Sequence, residues 1–174
     1  MSGFEIVRIN DGTFDRYVDG LAAVLNAGVL GGAGVSFVLP HTMADSRRFW
    51  LDVVRPGLKA DSRTLLAAMS GDAVAGTVQL DCDTPPNQPH RAEVLKLIVH
   101  PSFRRQGIAR ALMLSLEESA RARGRTLLTL DTASETAKRL YLSLGFRRVG
   151  DIPEFARHPI DDRYDATTIM YKKL

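Results

Sequence analysis

Apolar and polar positions follow two rhythms along this chain. From Phe4 to Ile9 they alternate, which predicts a first strand. Asn10, Asp11 and Gly12 break it. Thr13 is placed to cap a helix reaching about Ala27, in which Phe14, Tyr17, Val18, Leu21, Val24 and Leu25 fall at helical spacing. The stretch Gly31-Gly32-Ala33-Gly34 is too glycine-rich for a regular element and predicts a loop between helices. A second helix is predicted from Asp45 to about Val54, interrupted near Pro56. Arg63 to Met69 and Ala73 to Leu80 predict two strands joined by a turn at Gly71 and Asp72. A polar, proline-rich loop from Asp83 to Pro89 leads to a strand from Ala92 to Val99, ended by His100 and Pro101. Ile108, Leu112, Leu116 and Ala120 recur at four-residue steps and predict a helix from about Gly107 to Arg123, stopped by Gly124. Thr126 to Leu130 reads as an apolar strand, which predicts a central place in the sheet. A short helix from Glu135 to Leu144, a strand from Phe146 to Val149, an irregular loop to Arg163 and a last strand from Ala166 to Tyr171 complete the pattern.

The order β-α-α-β-β-β-α-β-α-β-β is a mixed α/β (α+β) plan. It lacks the regular alternation of a doubly wound nucleotide-binding fold. At 174 residues, one domain spanning 1–174 is expected.

Composition changes this picture little. Hydrophobic residues at 45% and charged residues at 25% match a soluble globular chain. No apolar run approaches the roughly 18 residues of a transmembrane helix, so no membrane partner is expected. Met1 to Glu5 shows no basic stretch leading into an apolar one, so no secretory leader is expected and a cytoplasmic location is the default. The net charge of +3 suits a small anionic ligand. Basic residues are interspersed with acids and no aromatic–basic stripe occurs, which argues against nucleic acid. Cys82 is the single cysteine, so it forms no internal disulfide and leaves no cysteine-based metal site. It reads as a small strand residue, and His90 and His100 as structural or exposed. No metal is expected.

The candidate chemistry concentrates between Glu93 and Ala109. An apolar strand, a proline turn, a basic glycine-containing loop and a helix start follow one another there. Backbone N–H groups at a helix start have no partners in the helix, and its dipole adds positive charge. Arg104 and Arg105 add full charges, and Gly107 allows close backbone approach. A phosphorylated ligand with its tail along the preceding strand fits this order of parts. The bland alternative is a solvated basic turn.

Arg104, Gly107 and Ala109 within the run 104–109 resemble the acyl-CoA signature of the GNAT superfamily of N-acetyltransferases: Gln or Arg, two residues, Gly, one residue, then Gly or Ala. The strand ending in Val99, His100 and Pro101, and the later segment Arg139-Leu140-Tyr141 with Leu144-Gly145-Phe146, extend the resemblance. The chain also resembles the tabtoxin-resistance acetyltransferases of that superfamily, in residues 31–37, 91–97, 127–132, 148–150 and 166–169. These likenesses imply the GNAT acyl-CoA N-acyltransferase fold, a mixed sheet of about seven strands flanked by about four helices. They imply acetyl-CoA as co-substrate and direct transfer to an amine in a ternary complex.

The resemblance distributes four tasks. Arg104, Arg105, Gln106, Gly107, Ile108 and Ala109 hold the diphosphate. Leu97, Ile98 and Val99 lie on a strand that splays from its neighbour and binds the pantetheine arm, with an N–H near Ile98 polarising the thioester carbonyl. Glu93 and Asp131 deprotonate the amine, directly or through water; read alone, Glu93 is equally a solvent-facing strand residue and Asp131 a turn cap. Tyr141 protonates the leaving thiolate, or else is a core aromatic beside Leu140 and Leu144. Many relatives carry Asn after the fifth strand. Here Thr132-Ala133-Ser134-Glu135 stands instead, with Ser134 or Thr136 as substitute ligand or helix cap. Gly32, Ala33, Ser36 and Phe37, with residues near His41 and Trp50, are candidates for the acceptor site. The expected acceptor is a small primary amine: an amino acid, an antibiotic or a tabtoxin-like toxin. A protein lysine or N-terminal acetyltransferase and a non-catalytic acyl-CoA sensor are the alternatives. A monomer or homodimer is expected.

Overall fold

Strands with one apolar face and helices with one apolar stripe bury both by packing in layers, and here helices cover both sides of one sheet. The computed structural model describes residues 3–174; Met1 and Ser2, at the start of the stretch read for a leader, lie outside it. The elements are β1 (Glu5–Ile9), a 3-10 turn (Phe14–Arg16), α1 (Val18–Leu30), α2 (Met43–Phe49), a π-helical segment (Trp50–Val54), α3 (Arg55–Lys59), β2 (Arg63–Ser70), β3 (Ala73–Asp81), β4 (Arg91–Val99), a 3-10 turn (Pro101–Phe103), α4 (Ile108–Ala122), β5 (Leu127–Thr132), α5 (Glu135–Ser143), β6 (Arg147–Arg157) and β7 (Tyr164–Lys173). The seven strands lie in the order β1-β2-β3-β4-β5-β7-β6. All neighbours are antiparallel except β4 and β5, which are parallel.

The helix predicted from the spacing of Ile108, Leu112, Leu116 and Ala120 packs that stripe on Val78, Leu80, Val94 and Leu128 on one side of the sheet. On the other side, Leu21 and Leu25 of α1 pack with Trp50, Leu65, Ala67 and Ile98.

Three local expectations change. Thr13 does not cap α1; its N–H and hydroxyl bind the Asn10 side chain, a 3-10 turn follows, and α1 runs on to Leu30. Pro56 does not interrupt the second helix. It follows directly on the π-helical segment Trp50–Val54, so the α geometry gives way to a wider turn just before the proline while the helical path continues from Met43 to Lys59. The loop expected after Val149 is strand. β6 continues to Arg157 along β7, with register shifts between Arg148 and Gly150 and between Ile152 and Ala156. Almost every β6 residue is exposed, so no alternation marks it in the sequence.

Two irregularities in β4 shape the site. Gln79 pairs with Leu95 and Thr77 with Ile98, so Val78 alone opposes Lys96 and Leu97. This is a β-bulge, and Lys96 adopts φ 51° to make it. It reverses the strand's parity: Val94 packs on the α4 side, and so do Leu97 and Val99, an odd number of residues later. The second irregularity is the partnership with β5. Pairing covers Arg91–Leu127, Ala92–Leu128 and Glu93–Thr129 and then stops.

Candidate functional site

Beyond Glu93 and Thr129, β4 and β5 part company. The β4 edge from Val94 to Val99 is thereby released from β5, which is what an extended ligand arm needs for pairing. Leu97 and Val99 are half-buried on this segment and Ile98 is buried against the α1 side.

At the end of that edge the chain turns through Pro101–Phe103, held by the His100 N–H on the Ala75 carbonyl at 2.9 Å. Arg104, Arg105, Gln106 and Gly107 are exposed. Arg105 (φ 63°) and Gly107 (φ 81°) are both left-handed, which curls the backbone into a concave nest. The first α4 hydrogen bond at this end runs from Ala111 N–H to the Gly107 carbonyl at 3.0 Å. The amides of Ile108, Ala109 and Arg110 therefore precede the helical ladder, and they face the end where the dipole is positive. Nest, helix start and arginine pair make one anion cradle.

Around the split, Glu93 is half-exposed beside Arg91, whose guanidinium lies 4.0 Å from its carboxylate and 2.9 Å from Thr129 Oγ1. Asp131 stands on β5, across the split, and accepts a 2.7 Å hydrogen bond from the Thr167 hydroxyl. Tyr141 on α5 is buried, with its ring 5.5 Å from that of Phe146. Burial, and then the charge of Asp131, raise its phenol above the ordinary value. It is thus protonated at neutral pH. Ser134 caps α5, accepting from Ala137 N–H at 3.2 Å.

A cavity of about 210 Å³ opens beside Asp131. Gly34, Ser36 and Phe37 of the glycine-rich loop form one wall, and Phe155, Arg157, Asp165 and Thr167 of the β6–β7 hairpin form the other. A hydrogen bond from Leu39 N–H to the Pro159 carbonyl, 2.9 Å, joins the two walls. Of the loop residues read as acceptor candidates, Ser36 and Phe37 line the cavity. Gly32 instead lies beneath Ile160 and His158, and Ala33 ties back to the Gly28 carbonyl at 2.9 Å. His41 holds Ser46 at 2.7 Å, and Trp50 is fully buried in the core.

The fold and the sequence that builds it have known counterparts. The acetyltransferase (GNAT) family model matches residues 34–146, a span that holds Glu93, the cradle, Asp131 and Tyr141. The chain belongs to the GNAT family. N-acetyltransferase 8B of Rattus norvegicus is 33% identical over 102 residues, which is 57% of this chain and 46% of that protein. The chain spans about half the length of the curated relatives it matches. Among solved structures, an N-acetyltransferase from Staphylococcus aureus Mu50 superposes with a TM-score of 0.80 at 17% identity, covering 98% of each chain. The yncA structure from Salmonella typhimurium, which holds acetyl-CoA as its cofactor, gives 0.78 at 18% identity, covering 99% of this chain and 94% of that one. The expected GNAT acyl-CoA N-acyltransferase fold is the fold found.

Four further residues stand in or near the candidate site that the sequence did not single out. Lys96 was available as a lone charge in the apolar run from Val94 to Val99. Arg157 gave no signal, because β6 is exposed along nearly its whole length; Asp165 and Thr167 stand on β7, whose pattern marks a strand but not a cavity.

Proposed function

We propose that this chain is an acetyl-CoA-dependent N-acetyltransferase, a single domain over 1–174, acting in the cytoplasm on a small primary amine. The observation that carries the proposal is the parting of β4 from β5 at Glu93 and Thr129, with the anion cradle at the far end of the released edge. The cradle of Arg104 to Ala109 binds the diphosphate of coenzyme A. The edge from Leu97 to Val99 pairs with the pantetheine arm, which brings the thioester to the bulge. The acceptor enters through the cavity beside Asp131. Glu93 and Asp131 take a proton from the ammonium, directly or through water, and the neutral amine attacks the thioester carbonyl. A C–N bond forms and the C–S bond breaks; Tyr141 gives its proton to the departing thiolate, and the proton that the new amide nitrogen sheds restores the phenol. Burial keeps the phenol protonated and so holds a proton ready for that transfer.

A cavity of about 210 Å³ walled on both sides supports a small acceptor over a protein chain. The resemblance to tabtoxin-resistance acetyltransferases in residues 31–37 supports amino acids, antibiotics or tabtoxin-like toxins as candidates. The test is thiol release from acetyl-CoA across an amine library. Release with at least one small amine, abolished without it, is expected. Tight coenzyme A binding with no release on any amine would leave only a sensor.

A further inference from the structure

Two of the protein's left-handed non-glycine residues meet in the acceptor region. Lys96 (φ 51°) sits on the β4 bulge and Ser36 (φ 75°) on the glycine-rich loop, and Lys96 Nζ donates to Ser36 Oγ at 2.8 Å. Strained backbone of this kind persists where the surroundings hold it, and it clusters at ligand sites. The bulge is what delivers the side chain. Strict alternation from Val94 would place Lys96 on the α4 side; the extra residue puts it on the opposite side, near the rings of Phe37 and Phe49, each 5.8 Å away.

The ammonium there is half-buried, and its pKa lies below the ordinary lysine value: burial lowers it, Asp131 offsets part of that, Arg63 lowers it further and Glu93 raises it a little. Among the described residues it has no carboxylate at ion-pair distance. Other cations nearby are already matched: Arg63 to Asp81 and Gln79, and Arg157 to Asp162. Lys96 therefore offers a positive group with donors to spare. Its partner Ser36 lines the cavity, and Asp131 lines the same cavity.

The geometry points to an oxyanion subsite at Lys96 and Ser36 that selects acceptors carrying a carboxylate, or another acid group, a few bonds from the reacting amine. This rests on the acetyl-transfer reading and adds the acceptor's second group. Lys96 holds the acid, and Asp131 faces the ammonium. The separation between them sets which amines stand in line with the thioester.

The test is thiol release from acetyl-CoA with a panel of α-amino acids, each beside its own carboxamide. Carboxamide amines hold their protons less tightly, so chemistry alone favours them. Wild type is expected to prefer the acids by about tenfold or more in kcat/KM, mainly through KM, as a charge-assisted contact provides. Lys96→Gln should erase that preference while carboxamides still turn over, Lys96→Arg should keep part of it, and Ser36→Ala should weaken it. Equal use of acids and carboxamides by wild type, or a preference that survives Lys96→Gln, overturns the subsite and leaves acetyl transfer standing. No release with either set, while another amine is acetylated, overturns the subsite alone; no release on any amine, while acetyl-CoA still binds, overturns acetyl transfer and the subsite with it.

Discussion

Glu93 and Thr129 form the last rung that joins β4 to β5. One residue of this pair is a carboxylate, and two residues past the other stands Asp131, on the opposite arm of the split. The split thus begins where the protein sets its acidic groups. Removing either charge should slow acetyl transfer without loosening the cofactor. Glu93→Gln and Asp131→Asn are each expected to lower kcat by about a hundredfold, the usual scale of a lost general base. Steady-state thiol release beside calorimetry with coenzyme A checks this. If both variants kept near wild-type turnover, the base assignment would fail.

Tyr141 is assigned the opposite proton transfer, and its burial has a consequence of its own. The unfolded phenol ionises near its ordinary value of 10.0, and the folded one only at higher pH. Between those values the folded state holds a proton that the unfolded state has lost. The stability this contributes is whole below about pH 10 and is lost as pH rises through the folded value. Denaturant melts from about pH 8 to about pH 11 should show wild type losing more stability than Tyr141→Phe. The same variant should lose most of its kcat with coenzyme A affinity intact.

Gly107 is required by its conformation and not by crowding from the protein around it. It holds φ 81°, and a Cβ there meets nothing within 4 Å. Gly107→Ala is expected to cost about 1 kcal/mol of backbone strain and to weaken coenzyme A binding, while Gly107→Asn should retain more of both, since Asn tolerates the left-handed region. Thermal melts and calorimetry on the pair give the comparison.

Gly76 needs its smallness. A Cβ there would lie 2.9 Å from the Ile98 carbonyl oxygen and 3.2 Å from Ile108 Cγ2. Gly76→Ala should press β4 away from β3 beside the bulge. A loss of about 1–3 kcal/mol is expected, on the scale of overpacked cores. Unfolding midpoints in urea measure it, and an unchanged midpoint would mean that the two strands yield easily here.

The parts of the fold that bury apolar faces were legible in the sequence. Ile108, Leu112, Leu116 and Ala120 announced α4, and the apolar runs bounded by turn residues announced β2 to β4, the strands that α4 covers. The cradle was legible because arginines and a glycine at fixed spacing are themselves the chemistry. Where no face is buried, the pattern fell silent: β6 is exposed along nearly its whole length, and its cavity residues went unseen. The Lys96 bulge was invisible for a different reason. Parity of a strand is read by assuming strict alternation, and one left-handed residue breaks that assumption without changing composition. Pro56 misled because the helical path passes it by way of a π-helical turn instead of ending.

Calorimetry of acetyl-CoA with the folded protein tests the cradle and the split together. One molecule should bind per chain, and removing both guanidinium groups in an Arg104→Ala, Arg105→Ala variant should weaken binding by about tenfold or more. Folded wild-type protein that takes up no acetyl-CoA, or a double variant that binds as tightly as wild type, would contradict it.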